Sequence, residues 1–172
     1  VLNAEGQKIA HDFHRGLMRS PASLTYEQAQ AAADGEPDEQ CAPLWDEAIK
    51  PVFDAYRAAA ITRDKRGPLH LELPERRIEL DDAGKVTSIK FRDRLDAHKL
   101  VEEFMILANV AAAETLEAAG QPLLFRVHEE PNPMKLDALR EQLKDTGLSL
   151  AKGQVLQTRH LNKILDEAVG SP

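Results

Sequence analysis

The chain has 172 residues, 42% of them hydrophobic, and its 29 acidic residues outnumber its 22 basic ones for a formal net charge of −7 at pH 7. This composition supplies enough apolar material for a packed core, so it excludes a fully disordered chain and fits one domain or a large part of one. The acidic balance argues against a general polyanion binder, because contacts to phosphates need clustered Lys and Arg.

Three further features narrow the class of protein. The longest apolar run, Phe104 to Ala113, is too short to span a bilayer and no signal-peptide pattern opens the chain, which predicts a cytoplasmic protein with no membrane partner. Cys41 is the single cysteine, which excludes an intrachain disulfide. From Arg57 to Lys99, eleven basic residues accompany eight acidic ones, a local charge of +3 against −10 elsewhere. That stretch is either a phosphate track or a set of ordinary solvated charges.

The first third of the chain predicts an extended segment followed by two helices. Residues 8–19 interleave polar and apolar side chains in the manner of a strand. A short Ala-rich helix follows, with Thr25 or Ser23 as its N-cap. Residues 42–62 carry apolar side chains at helical spacing, and we expect Pro51 to kink or divide that helix.

The middle of the chain predicts strands. Leucines alternate with polar residues over 69–73, and two further alternating runs, 77–80 and 85–92, are joined by Asp81-Asp82-Ala83-Gly84. Adjacent aspartates suggest metal ligands, but Asp residues before a glycine between two alternating runs favour a hairpin turn. Metal binding by this pair is therefore the weaker interpretation.

The rest of the chain predicts a long helix over 94–119, a short buried strand over 123–127, a helix opened by Asn132-Pro133 and ending at Gly147, and a last helix over 159–168. Together the elements predict an α/β (α+β) fold in which helices pack on a mixed sheet.

The long helix, for which we expect Asp93 as the cap, carries a row of polar groups beside an apolar face. At about 100° per residue, four side chains fall within a sector of roughly 60°: His98, Glu102, Met105 and Asn109. The face predicted to be buried includes Leu100, Val101, Phe104, Ala108 and Ala111. The polar row is either a helix flank that meets solvent or a neighbouring loop, or an edge that faces a substrate.

His128-Glu129-Glu130 contains residue types that bind zinc. Adjacent residues on a strand point to opposite faces, and no second histidine lies at helical spacing, so a hydrogen-bonding cluster is the favoured interpretation. No Ser-His-Asp arrangement and no phosphate-binding loop is present in the sequence.

Four stretches of the chain, in this order and at matching separations, resemble the RNB catalytic domain of the ribonuclease II and ribonuclease R family of 3′-to-5′ exoribonucleases. They are Arg15–Ser20 running into Leu24–Gln28, Arg66–Glu75, Arg94–Asn109 and Phe125–Pro131. The resemblance implies an RNA substrate that is hydrolysed from its 3′ end to nucleoside 5′-monophosphates. An alternative is an RNB-like protein that has lost catalysis and serves as an RNA-binding or scaffolding module.

The family's metal-binding aspartate cluster and its Ser-Pro-Ile-Arg-Arg-Tyr-like element have no counterpart in this sequence. The resemblance therefore implies that residues 1–172 are the central part of an RNB exoribonuclease domain. It implies Mg²⁺ as the cofactor of the intact enzyme, with none bound to this chain. We also expect the intact protein to bind the 3′ end of single-stranded RNA, and this chain alone to bind RNA weakly or not at all and to be inactive.

The resemblance also implies roles at matching positions. Tyr26 matches an aromatic hydroxyl near the scissile phosphate, and Glu102 matches an acidic residue that contacts a ribose 2′-hydroxyl. Leu71 stands where the family stacks an aromatic ring on the terminal bases, and it lacks the π-face that makes such stacking strong. His98 and Asn109 complete the expected substrate-binding set, which contains no catalytic residue and no metal ligand.

Overall fold

The computed structural model describes residues 1–71, 75–152 and 156–169, apart from three side chains on the strands. Its regular elements are α1 (Tyr26–Ala33), a 3₁₀ turn (Ala42–Leu44), a π-helical turn (Trp45–Ile49), α2 (Lys50–Lys65), β1 (Glu75–Leu80), β2 (Val86–Arg92), α3 (Asp96–Ala118), α4 (Pro133–Lys144) and α5 (Thr158–Ala168). The α+β class is confirmed, and among the described residues the sheet is one antiparallel pair. Within the same residues, no helix has the length and apolar character needed to cross a membrane.

The chain divides into two compact units. The first contains Val1–Lys65 and Pro74–Leu123, and the second contains Arg66–Leu73 and Leu124–Pro172. In the first unit, the apolar sides of α1, α2 and α3 pack together. The buried cluster consists of Ala32, Cys41, Ile49, Phe53, Tyr56, Ala97 and Leu100.

The helix predicted over 42–62 forms, and Pro51 divides it as expected. The π-helical turn ends where the backbone N–H of Lys50 donates to the carbonyl of Trp45, five residues back. Pro51 has no N–H to donate to the carbonyl four residues back, so the hydrogen-bond pattern changes at this point. Regular α-helix then continues as α2 to Lys65.

The predicted hairpin is confirmed. β1 and β2 are antiparallel, with Ile78 opposite Ile89 and an irregularity between Glu79 and Leu80. In the turn, the Asp81 carboxylate accepts hydrogen bonds from the backbone N–H of Ala83 (3.0 Å) and of Lys85 (2.8 Å). Asp81 therefore has the turn role that its position before glycine predicted.

The strand predicted over residues 8–19 is wrong. Its only regular pairing is a single bridge between Leu2 and Lys8, and the residues that follow are irregular and mostly exposed. Alternation alone does not make a strand, because the backbone N–H and C=O groups need a neighbouring strand to pair with. Instead, the N-terminal turn (residues 3–7) packs on α2, where Thr62 Oγ1 donates to the carbonyl of Glu5 at 2.7 Å.

The strand predicted over 69–73 is also absent where the structure describes it, up to Leu71, and the remainder of that prediction lies outside the described residues. In the second unit, the side-chain amide of Asn162 in α5 occupies the backbone groups that a strand would use. Its Nδ2 donates to the carbonyl of Pro68 at 2.8 Å, and its Oδ1 accepts from the N–H of His70 at 2.9 Å.

Of the remaining predictions, two are confirmed and one is wrong. Asn132 Oδ1 accepts from the N–H of Met134 at 2.9 Å and caps α4 as predicted, and α5 forms as predicted. The buried strand over 123–127 is wrong, since these residues are irregular and the side chains of Leu124 and Val127 are 99% and 79% exposed. A short apolar run does not by itself distinguish a core strand from an exposed irregular segment.

Candidate substrate-binding surface

The surface that gathers most of the predicted site residues is built at the start of α3. The helix is capped at Leu95, so the expectation of Asp93 as cap is wrong. The Nδ1 atom of His98 accepts from the backbone N–H of Leu95 at 3.2 Å. The N–H of Ala97, in the first turn, donates to Oε1 of Gln30 in α1 at 3.0 Å. Side chains rather than the expected aspartate therefore satisfy these N–H groups.

α1 presents the second element of this surface. Thr25 is its N-cap, as predicted, and forms a reciprocal capping box with Gln28. Tyr26 is the first helical residue, and its ring stacks on His98 with 4.1 Å between ring centroids and 22° between ring planes. Since Tyr26 and Gln30 are four residues apart, both lie on the face of α1 that meets the first turn of α3.

The loop after α1 holds that helix in place. Asp38 accepts from Gln28 Nε2 at 2.8 Å and from the backbone N–H of Cys41 at 2.7 Å. The hydrogen bond from the Cys41 backbone, followed by that from the Gln28 side chain, lowers the pKa of Asp38. Cys41 is fully buried, and burial raises the pKa of its thiol.

Glu102 lies one turn beyond His98 on α3. Its Oε2 is paired with Arg94, and both side chains are partly exposed. An ion pair of this kind leaves carboxylate lone pairs for a further donor. Tyr26, His98 and Glu102 are thus placed around the first two turns of α3, in the same unit.

The other two predicted site residues are placed differently. Asn109 is exposed on α3 and lies about 10 Å along the helix axis from Glu102, at 1.5 Å per residue. Leu71 belongs to the second unit, and its side chain is 49% exposed. Within the first unit, the structure therefore places Tyr26 against His98, with Glu102 one turn further along α3.

An apolar cavity of about 270 Å³ lies beside Tyr26. Its lining also includes Phe53, Leu100 and Val101, contributed by α2 and α3. Glu102 does not line this cavity, because it follows Val101 by one residue and projects about 100° away from it on α3.

The buried face of α3 is rotated from the predicted one. Leu100 and Ala111 are buried as expected, Phe104 is only partly buried, and Val101 and Ala108 are exposed. The buried residue that was missed is Glu103, which is 2% exposed.

Glu103 is held by a charge from α2: its Oε1 lies 3.3 Å from Nε of Arg63. An unpaired carboxylate is costly to bury, so the ion pair with Arg63 offsets the cost of burying Glu103. The sequence signal was a glutamate three residues after Leu100, at the spacing of the core face, together with an arginine in the facing helix.

The described residues contain no group of three or more His, Cys, Asp or Glu side chains placed to hold a metal ion. His128 and the glutamates that follow it are exposed in an irregular segment. Several cations of the basic stretch are already paired, among them Arg57 with Asp54 and Lys90 with Glu79. These pairs fit the interpretation of that stretch as ordinary solvated charges.

Helices and a small antiparallel sheet define an α+β fold among the described residues, and comparison with known proteins identifies the family. The sequence model of the RNB domain matches residues 1–171. The chain therefore belongs to the RNB domain family. It is 34% identical over 173 residues to ribonuclease R of Aquifex aeolicus and 31% identical over 174 residues to ribonuclease R of Escherichia coli, in each case over 100% of this chain. It spans only 24% and 21% of the lengths of those proteins.

Solved structures support the same fold. RNase R of Mycoplasma genitalium in complex with double-stranded RNA matches with a TM-score of 0.73 at 23% identity, over 86% of this chain and 26% of that one. The same enzyme in complex with ribose-methylated single-stranded RNA matches with a TM-score of 0.72 at 23% identity, over 86% of this chain and 23% of that one.

Proposed function

We propose that this chain is the substrate-positioning part of a 3′-to-5′ exoribonuclease that hydrolyses RNA to nucleoside 5′-monophosphates. Membership of the RNB family and similarity to ribonucleases R support this proposal. The observation that carries it is the stack of Tyr26 on the first turn of α3, with Glu102 one turn further along. Two side chains matched to RNA-contacting positions thereby share one surface.

Glu102 supplies the proposed sugar selection. A carboxylate accepts a hydrogen bond from a ribose 2′-hydroxyl, and deoxyribose offers no such donor. Arg94 pairs with Glu102 and orients its carboxylate. The contact therefore favours RNA over DNA at the nucleotide it touches.

Tyr26 supplies the proposed positioning of the scissile phosphate. In the reaction, a water oxygen bonds to phosphorus while the bond from phosphorus to the 3′-oxygen breaks. A phenol hydroxyl near that phosphate orients it for in-line attack. We propose accessory substrate contacts for Asn109, further along α3, and for Leu71 in the second unit.

The expected cofactor is Mg²⁺, and the described residues do not fit it, since no carboxylate cluster of three lies among them. No step is therefore assigned to a metal held by this part of the chain. We propose that the metal ligands belong to a part of the intact protein outside residues 1–172.

The 172-residue chain alone should then release no mononucleotides from single-stranded RNA with Mg²⁺ or Mn²⁺ and should bind RNA weakly or not at all. Metal-dependent release by the purified chain, after controls for contaminants, would contradict this.

The test of sugar selection compares matched RNA and DNA 3′ ends as substrates of the intact protein. Glu102→Ala removes a charge-assisted hydrogen bond of about 1.5–3 kcal/mol, so the RNA-to-DNA ratio of kcat/KM should fall by about 10- to 100-fold. Glu102→Gln keeps an acceptor and should lose less. Glu117→Ala, an exposed glutamate in the last turn of α3, is the matched control. All rates are measured at one ionic strength, because affinity for RNA depends strongly on salt.

The outcomes separate the candidate functions. An unchanged ratio in Glu102→Ala restricts Glu102 to a structural role. Tyr26→Phe retains the ring and removes the hydroxyl, so a lowered kcat assigns the positioning to the phenol oxygen. An intact protein that binds RNA 3′ ends without degrading them identifies the alternative, a catalytically inactive RNA-binding or scaffolding module.

A further inference from the structure

His98 belongs to the candidate surface, yet neither of its ring nitrogens faces solvent as a free group. Nδ1 accepts from the N–H of Leu95 at 3.2 Å. Nε2 is buried and has no hydrogen-bond partner within the described part of the chain. One face of the ring is covered by Tyr26. A substrate at this surface therefore meets Tyr26 and not the polar atoms of His98.

We infer that His98 is a positioning residue: it fixes the plane of the Tyr26 ring and does not itself bind RNA. The inference rests on the proposed function of Tyr26 and replaces the direct substrate contact expected for His98 from the sequence. The polar row on α3 did not indicate this role, because a row of polar side chains points first to direct contacts.

The geometry gives His98 a fixed orientation. Because Leu95 N–H is the donor, Nδ1 carries no proton, so the neutral ring carries its proton on Nε2. The hydrogen bond at Nδ1 and the burial of Nε2 together define the plane of the imidazole. Helix α3 thus provides a rigid planar support at its first turn.

Tyr26 needs such a support. Its side chain is 37% exposed, and an exposed aromatic side chain at the first position of a short helix rotates freely unless something holds it. The parallel stack on His98, with centroids 4.1 Å apart, restricts that rotation. Gln30, one turn along α1, reinforces the alignment by accepting from Ala97 N–H at 3.0 Å.

Three variants separate the ring stack from the helix cap. His98→Phe keeps a ring for the stack and loses the Nδ1 acceptor. His98→Asn keeps an acceptor for Leu95 N–H and loses the ring. His98→Ala loses both. The matched control is His160→Ala, because His160 has the same position in α5 and accepts from Gln157 N–H at 3.2 Å, far along the chain from Tyr26.

The first measurement uses the 172-residue chain without RNA. The aromatic NMR resonances of Tyr26 should carry the ring-current shift of the stack in the wild type, in His98→Phe and in His160→Ala. They should move toward free-tyrosine values in His98→Asn and His98→Ala. Backbone amide spectra verify that each variant is folded, and ¹⁵N shifts should show His98 protonated at Nε2.

The second measurement is RNA turnover by the intact protein. Misplacing a positioning group by about 1 Å costs up to about 100-fold in rate, so His98→Asn should lower kcat by about 10- to 100-fold while KM changes little. His98→Phe should restore most of the rate. Adding His98→Asn to Tyr26→Phe should lower the rate little further, because both changes remove the same positioned hydroxyl.

Two results would overturn the inference. One is normal turnover in His98→Asn with loss in His98→Phe, which would make the helix cap the functional feature. The other is unchanged Tyr26 resonances in His98→Ala. Because the resonance measurement needs no RNA, failure of the positioning role is distinguishable from failure of the proposed exoribonuclease function.

Discussion

Two regions of the first unit differ in how their apolar side chains are used. The helical region, where α1, α2 and the start of α3 meet, buries Phe53, Ala97 and Leu100 to between 3% and 7% exposure. The β1–β2 hairpin leaves Ile78, Ile89 and Phe91 between 57% and 64% exposed. Both regions have regular secondary structure. Forming an element and contributing tertiary stability are therefore separate properties.

The hairpin forms from local interactions. Asp81 closes its turn, and across the strands Glu79 accepts from Ser88 Oγ at 2.5 Å and from Lys90 Nζ at 3.0 Å. The helical region depends on contacts between elements far apart in the chain, such as Gln30 with Ala97. Equivalent substitutions should therefore destabilise the helical region more than the hairpin.

The largest difference is expected at two glycines with the same φ of +76°. A Cβ at Gly6 would lie 1.8 Å from the carbonyl oxygen of Ala58 in α2, whereas a Cβ at Gly84 in the hairpin turn meets nothing within 4 Å. Gly6→Ala should detach the N-terminal turn or destabilise the unit by more than about 4 kcal/mol, and Gly84→Ala should cost only about 1–2 kcal/mol for the positive φ. Urea unfolding of the two variants measures both. Equal losses would show that the contact with α2 contributes nothing.

Two phenylalanines give the next comparison. Phe53 is 4% exposed in the helical core and Phe91 is 64% exposed in the hairpin. Phe53→Ala should cost about 3–5 kcal/mol, and Phe91→Ala less than about 1 kcal/mol. The midpoint of urea unfolding for each variant provides the test. A loss above about 2 kcal/mol at Phe91 would mean that its ring is packed in solution.

Two glutamates allow the contributions of ion pairs to stability to be compared in the same two regions. Glu103→Gln removes the buried partner of Arg63 and should cost about 2–3 kcal/mol, discounted because the Arg63 side chain is 19% exposed. Glu79→Gln weakens the exposed pair with Lys90 and should cost less than about 1 kcal/mol. Thermal unfolding at low and at 1 M salt tests both. The Glu103 effect should persist in high salt and the Glu79 effect should shrink, and the reverse pattern would contradict the assignment.

The smallest expected effect is a pH dependence near α1. The pKa of Asp38 is lowered in the folded state, chiefly by the hydrogen bond from the Cys41 backbone, so Asp38 stabilises the fold above its ordinary pKa of 3.8. This contribution is lost as the pH falls through the lowered folded value. Asp38→Asn keeps an acceptor and removes the titration, so stability should depend less on pH below about 4.

Asp54 is the control for this acid dependence. Its pKa is lowered mainly by Lys50, so high salt should weaken its contribution, while that of Asp38 rests on uncharged donors and should remain. Urea unfolding between pH 2.5 and 6 compares the two aspartates. An unchanged pH profile in Asp38→Asn would contradict the proposed role.

Residues near one another in the chain determined the elements that were predicted correctly. Thr25 and Asn132 cap their helices through hydrogen bonds that span two or three residues, and Pro51 alters the helix at its own position. Asp81 closes the hairpin turn in the same local way. The family resemblance was also legible in the sequence, because it depends on short ordered motifs.

Tertiary structure decided the remaining features, because they depend on partner residues that a sequence pattern does not identify. Asn162 occupies the backbone groups of residues 68–70 that alternation assigned to a strand, and the pairing of Glu103 with Arg63 requires α2 and α3 to be adjacent. The stack of Tyr26 on His98 joins residues 72 positions apart in sequence. The sequence shows which chemical groups the side chains carry, but only the packing of the helices determines which groups face one another.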